Sequence, residues 1–133
     1  MNIDREPSVR LTIPARSRYL RLARLTAAGI ASDLSFSLQG IEDLRVAVDE
    51  ACAVLIEGCD VADHDTHEVD LHYCIVGDKL LIEGWSRCGG AGPVDLHPVA
   101  RELLEMTADE HEFGTTENGR SFRLVKHRQG AAV

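Results

Sequence analysis

Residues 43–56 read as one long helix with apolar side chains on nearly every side. Ile41, Leu44, Val48, Ala51 and Leu55 recur at spacings of three and four and form one stripe. Val46, Ala53 and Val54 fall on the other side, and Glu50 sits among them. Burying a carboxylate is costly unless it has a partner or a task. Glu50 is therefore the first candidate functional residue. The plainer alternatives are a solvated helix edge and a structural ion pair.

The elements around this helix follow from local pattern. Residues 9–13 alternate as a strand, and Pro14 ends it. Ser17 is placed to cap a helix over 18–32, with Leu22, Leu25 and Ala28 among its expected buried positions. Ser37 is placed to cap the long helix and Gly58 to stop it. Residues 60–66 are a polar loop. Val69, Leu71, Tyr73 and Ile75 then alternate with polar neighbours, and Gly77-Asp78 fits a tight turn into a partner strand at 79–85. A loop of small residues at 86–93 leads to a third helix at 99–107. A short strand is expected near 110–113. Asn118-Gly119 turns into a last strand at 121–126, and a disordered tail is expected after it. This order is not the regular alternation of a doubly wound parallel sheet. It predicts an α/β two-layer sandwich, with helices on one face of a mainly antiparallel sheet.

At 133 residues the chain is expected to be a single domain with one core. Its start lacks a signal-peptide core and no run reaches membrane-span length, so the cytoplasm is the expected compartment. The four cysteines match neither a zinc knuckle nor a compact disulfide scaffold. The net charge of −8 is unevenly spread. Residues 1–24 hold six arginines against Asp4 and Glu6, a local charge of +4, and the remainder carries −12. Such an acidic body opposes general nucleic-acid binding. The basic end suits an acidic patch on a protein partner, the alternative being a solvated helix face. Arg18, Arg21 and Arg24, spaced by three, share one side of the first helix.

Several segments together carry a family resemblance: Leu11-Thr12-Ile13-Pro14-Ala15, Tyr19-Leu20-Arg21-Leu22-Ala23-Arg24, Asp43-Leu44-Arg45-Val46-Ala47-Val48-Asp49-Glu50 and Phe122-Arg123-Leu124-Val125-Lys126. Over residues 9–128 the chain resembles the anti-sigma-factor serine kinases of the RsbW and SpoIIAB type. These share the GHKL fold of histidine kinases and gyrase. The long helix looks most like the actinobacterial branch. The resemblance makes residues 9–128 the domain and leaves 1–8 and 129–133 as flexible termini.

That resemblance implies roles residue by residue. Active kinases carry a Glu on the second helix as general base and, four residues later, an Asn that holds magnesium on ATP. Four residues is about one turn, so both face one pocket. Glu50 matches the base, and Val54 stands at the Asn position, where it offers no oxygen to a hard cation. The family's adenine-reading Asp-x-Gly-x-Gly corresponds to residues 86–90, so Ser86 replaces the Asp and Cys88 the first Gly, while Gly90 matches. Only residues 92–98 remain for an ATP lid. ATP and magnesium binding is therefore expected to be weak or absent, since phosphoryl transfer needs positioned phosphates and a metal. The partner-binding arginine of the family matches Arg24, flanked by Arg18 and Arg21.

Other clusters are weaker. His64 and His67 beside Asp63 and Asp65 have a chelating spacing, but no third ligand is apparent. Asp49 and Glu50 point about 100° apart and cannot serve one substrate atom together. Trp85 reads as a core or interface anchor. The expected function is sequestration of an alternative sigma factor, reversed by an anti-anti-sigma antagonist of the STAS type, through a degenerate nucleotide site. An active serine kinase that phosphorylates the antagonist, with Glu50 as base, is the enzyme alternative. A phosphatase-linked sensor module or a structural dimer subunit is a third. The family also implies a homodimer. From charge, hydropathy and the missing ligands, no direct contact to nucleic acid or membrane and no bound metal is expected.

Overall fold

The computed structural model describes residues 9–57, 67–88 and 93–128. Five strands form one sheet: β1 (Val9–Pro14), β2 (Glu68–Val76), β3 (Lys79–Ser86), β4 (Glu110–Thr116) and β5 (Gly119–His127). The sheet order is β1-β2-β3-β5-β4, and every pairing is antiparallel. Among the described residues three α-helices accompany it: α1 (Leu20–Asp33), α2 (Leu38–Glu57) and α3 (Pro98–Thr107). This is the expected two-layer α/β sandwich. Gly58, the polar loop at 60–66 with His64, Gly90 and both chain ends lie outside the described residues.

The long helix is the centre of the core. Leu44, Ala47, Val48, Ala51, Cys52 and Leu55 of α2 are buried, and Ile41 packs at the edge of the same cluster. Beneath them lie Leu71 and Tyr73 of β2, Leu80 and Ile82 of β3, and Phe122 and Leu124 of β5. The other sheet face carries only a small cluster, Cys74, Leu81 and Val125 with Val76 beside it. Trp85 lies half-buried on that face, edge-on to His72 with ring centroids 4.8 Å apart. Ser37 caps α2 as expected, its hydroxyl accepting the Gly40 N–H at 3.0 Å. Gly77 takes the hairpin turn at φ 63°, a conformation that suits glycine.

Two expectations about the first helix are corrected. Ser17 does not cap it. Ser17–Tyr19 forms a 3₁₀ turn, α1 starts at Leu20, and neither turn nor helix has a side-chain cap. The buried residues are Leu20, Ala23, Ala27 and Ala31, while Leu22 and Leu25 stay 40% and 57% exposed and Ala28 only half-buried. The cause is close approach. The Tyr73 hydroxyl donates to the Ala23 carbonyl at 2.9 Å, so the sheet's largest inward side chain abuts the α1 backbone. An alanine stripe fits that separation and a leucine stripe does not.

Cys52 and Cys74 are buried and outside any disulfide, whereas Cys88 is disulfide-bonded, a bond that the spacing of the cysteines does not suggest. Among the described residues no helix is long and apolar enough to cross a membrane.

Candidate functional site

The second half of α2 and the N-terminal half of α3 enclose a cleft of 1320 Å³. Glu50, Ala53, Val54 and Glu57 line it from α2, and Asp95, His97, Arg101, Glu102 and Glu105 line it from α3 and its approach. The expectation that Glu50 and Val54 share a pocket holds, since they stand one turn apart on the same wall. Asp49 turns elsewhere, to an ion pair with Arg24 at 3.4 Å. Glu50 itself is half-buried at the cleft wall.

The cleft floor is set by Arg120, a residue that the sequence reading passed over. The Asn118-Gly119 turn starts β5 so that positions 120, 122, 124 and 126 face the helices. Arg120 thus extends inward, with only 12% of its side chain exposed. Its Nη1 donates to the Val54 carbonyl at 2.9 Å. That carbonyl belongs to the last turn of α2, where a cation is favourable. Glu57 lies 4.0 Å away, and the Arg120 Nε is buried without an acceptor. An arginine at an inward strand position, two residues before an inward phenylalanine, is the signal that marks it.

Ser86 lies behind Arg120. It is 1% exposed, and its hydroxyl accepts the Arg120 backbone N–H at 2.9 Å. It is not among the residues lining the cleft. A Cβ on Gly119 would lie 2.8 Å from the Ser86 carbonyl oxygen, so the serine is packed into the β3–β5 seam. Among the described residues the cleft carries five carboxylates against the guanidiniums of Arg101 and Arg120. At the α3 entrance His97 caps the helix, its Nδ1 accepting the Val99 N–H at 3.2 Å. His67 is buried with Nδ1 unpartnered, and no group of three or more metal-ligating side chains exists among the described residues.

The arginine face is divided. Arg18 and Arg21 are exposed, and the Arg18 guanidinium lies 5.0 Å from the Tyr19 ring centroid. Arg24 instead turns toward α2 and Asp49.

No family model matches the chain. It is similar to proteins named Serine-protein kinase RsbW. The protein of that name from Bacillus licheniformis is 38% identical over 74 residues, which are 56% of this chain and 46% of that relative. The one from Bacillus cereus strain B4264 is 30% identical over 80 residues, 60% of this chain and 49% of that relative. The chain spans about half the length of the curated relatives it matches.

Proposed function

We propose that this chain is an anti-sigma regulator of the RsbW type that acts by binding, with a cleft that no longer serves ATP. Similarity to proteins named Serine-protein kinase RsbW supports the family reading. The observation that carries the loss of ATP is the Arg120 bond to the Val54 carbonyl. It puts a fixed cation on the wall where the resemblance requires a magnesium-holding Asn, and Val54 supplies no oxygen side chain. The surplus of carboxylates adds repulsion toward a triphosphate. In this reading Glu50 lines the pocket and performs no chemistry, and Ser86 supports the sheet. Gly90, matched to the family's glycine, does not bind nucleotide. The partner is a sigma factor, released by a STAS-type antagonist, and the exposed Arg21 of α1 and Arg18 of the preceding turn contribute to its capture.

The second reading is an active serine kinase. It is favoured by the name of the relatives and by Glu50 facing the cleft. Isothermal titration with ATP and magnesium separates the two. No heat of binding at high micromolar nucleotide is the expected outcome. A low-micromolar dissociation constant, or phosphate transfer to a purified antagonist that Glu50→Gln abolishes, refutes the proposal. Direct titration of purified alternative sigma factors from the same genome tests the binding function.

A further inference from the structure

We propose that the open edge of β4, together with the outer flank of α3, takes an extended segment of a protein partner as a sixth strand, its side chains alternating between apolar and cationic. The proposal goes beyond the sigma-capture reading and needs neither α1 nor the cleft.

Three observations converge on this edge. First, α3 overhangs the sheet. Its buried side chains are Leu104 and Thr107, yet Val99 and Met106 are 57% and 70% exposed and Leu103 is half-buried. At about 100° per residue, Val99, Leu103 and Met106 fall within about 60° of one another and make one apolar flank. Arg101 and Glu105 of the cleft wall lie on the far side of the buried stripe from it. The flank therefore faces away from α2, over β4 and the end of the sheet.

Second, the edge is unprotected. Among the described residues β4 pairs on one side only, with β5. Proteins blunt such edges with proline, bulges or inward-pointing charges. β4 has no proline, and its register with β5 runs unbroken from Glu110 to Thr116. Its helix-facing positions, His111, Phe113 and Thr115, include no carboxylate, lysine or arginine. Alternate N–H and C=O groups of β4 are thus open to one more strand. The inward side chains of that strand would fill the space beneath Val99, Leu103 and Met106.

Third, the charge of the edge selects the occupant. On the outer sheet face Arg123 stands opposite Glu83 of β3 and Glu112 of β4, and pairs with Glu110 at 3.4 Å. One guanidinium there meets three carboxylates, so cations on the outer face of an incoming strand are drawn to it. A second β4 would set glutamates beside glutamates, which disfavours two copies joined through this edge. β1, the opposite edge strand, already packs Val9, Leu11 and Ile13 on its own core and has nothing left to fill the space under α3.

The test uses a fluorescein-labelled peptide of alternating valine and lysine, as long as β4, and its valine–glutamate counterpart. Fluorescence anisotropy with the full chain should show binding of the lysine peptide and at least tenfold weaker binding of the glutamate one. The double variant Val99→Ser/Met106→Ser should weaken the lysine peptide at least tenfold and leave the urea midpoint nearly unchanged, because both side chains are exposed. Glu112→Gln should weaken it several-fold. Strand addition has its own signature. Successive residues of a strand point their N–H groups to opposite sides, so methylating the valine nitrogens and methylating the lysine nitrogens should differ at least tenfold in effect. Binding should also slow amide hydrogen exchange within β4. Absence of binding, equal binding of the lysine and glutamate peptides, equal binding of the two methylated peptides, or full affinity in the double variant overturns the proposal. Wild-type chain that self-associates and separates in the double variant also overturns it, since the occupant is then a second copy.

Discussion

Gly84, at the centre of β3, offers a direct test of the packing that holds the helices over the sheet. A methyl group there would lie 2.7 Å from Phe122 Cζ, closer still to Cε2, and 3.0 Å from Leu71 Cδ2. Phe122 cannot swing away freely. It is buried and tilted against Phe113 with centroids 6.3 Å apart, and Leu71 is fully buried. Overpacking of this kind costs about 1–3 kcal/mol. Removing a strand glycine returns about 0.5–1 kcal/mol through lost unfolded-state freedom. Gly84→Ala should therefore destabilise the fold by about 1–2 kcal/mol, a fall of a few degrees in Tm. Phe122→Leu deletes the clashing ring carbons and by itself costs about 1–3 kcal/mol. In the double variant the methyl enters vacated space, so the alanine should be neutral or stabilising. The coupling should be about 1–3 kcal/mol. Urea denaturation followed by Trp85 fluorescence measures all four corners, because Trp85 adjoins Gly84 on the same strand. Additivity of the two substitutions within about 0.5 kcal/mol would show that the ring and the glycine do not compete for one space.

Other expectations follow from single contacts. Burial, with Asp49 as a lesser cause, pushes the Cys52 thiol up to about 12, and burial with nearby Cys52 also raises the Tyr73 phenol. Both groups lose their protons more readily when unfolded, so the thiol's contribution is complete below its unfolded value near 9 and is lost as pH rises toward 12, while the phenol's loss begins near its unfolded value of 10. Stability should fall by up to about 1.4 kcal/mol per pH unit per group in that window, and a Cys52→Ala variant with an unchanged alkaline slope in urea melts would contradict this. Arg24→Ala should cost less than about 1 kcal/mol of stability, since its pair with Asp49 is more than one-third exposed on both sides, and calorimetry checks it. Val54→Asn alone should not create magnesium-dependent ATP binding, because Arg120 stays on the adjoining carbonyl; a measurable dissociation constant by titration would be the contrary result.

The layers of the fold were legible because periodicity reports burial when an element has one neighbour. The α2 stripe, the β2–β3 hairpin and the Ser37 cap are all local and stand as read, except that Ile75 near the hairpin turn is exposed and Cys74 beside it is buried. Periodicity failed on α1, where leucines at 22 and 25 outweigh alanines on any hydrophobic scale. What decides burial there is the distance between α1 and its neighbours, set by Tyr73 reaching the Ala23 carbonyl fifty residues away in sequence. The cleft was half legible for a related reason. Glu50 and Val54 are one turn apart on one element, so their shared wall could be anticipated. Arg120 joins that wall only because β5 passes beneath the end of α2, a tertiary fact that no spacing encodes.

Val54, Arg120 and Ser86 form one connected unit. The Val54 carbonyl accepts from the Arg120 guanidinium, and the Arg120 backbone N–H is held by Ser86. Ser86 in turn is packed against Gly119, where a side chain has no room. A change at one member therefore has consequences at the next. A larger acidic side chain at 86 would press on the Gly119 backbone and disturb the strand that carries Arg120. Loss of the guanidinium would leave the final turn of α2 without its cation, next to Glu57. On the proposed reading, gaining a nucleotide site would demand coordinated substitution at 54, 86 and 120, each neutral or harmful alone. The scaffold remains free to carry a binding face on α1, because among the described residues α1 does not line the cleft and reaches this unit through α2 and the Tyr73 contact.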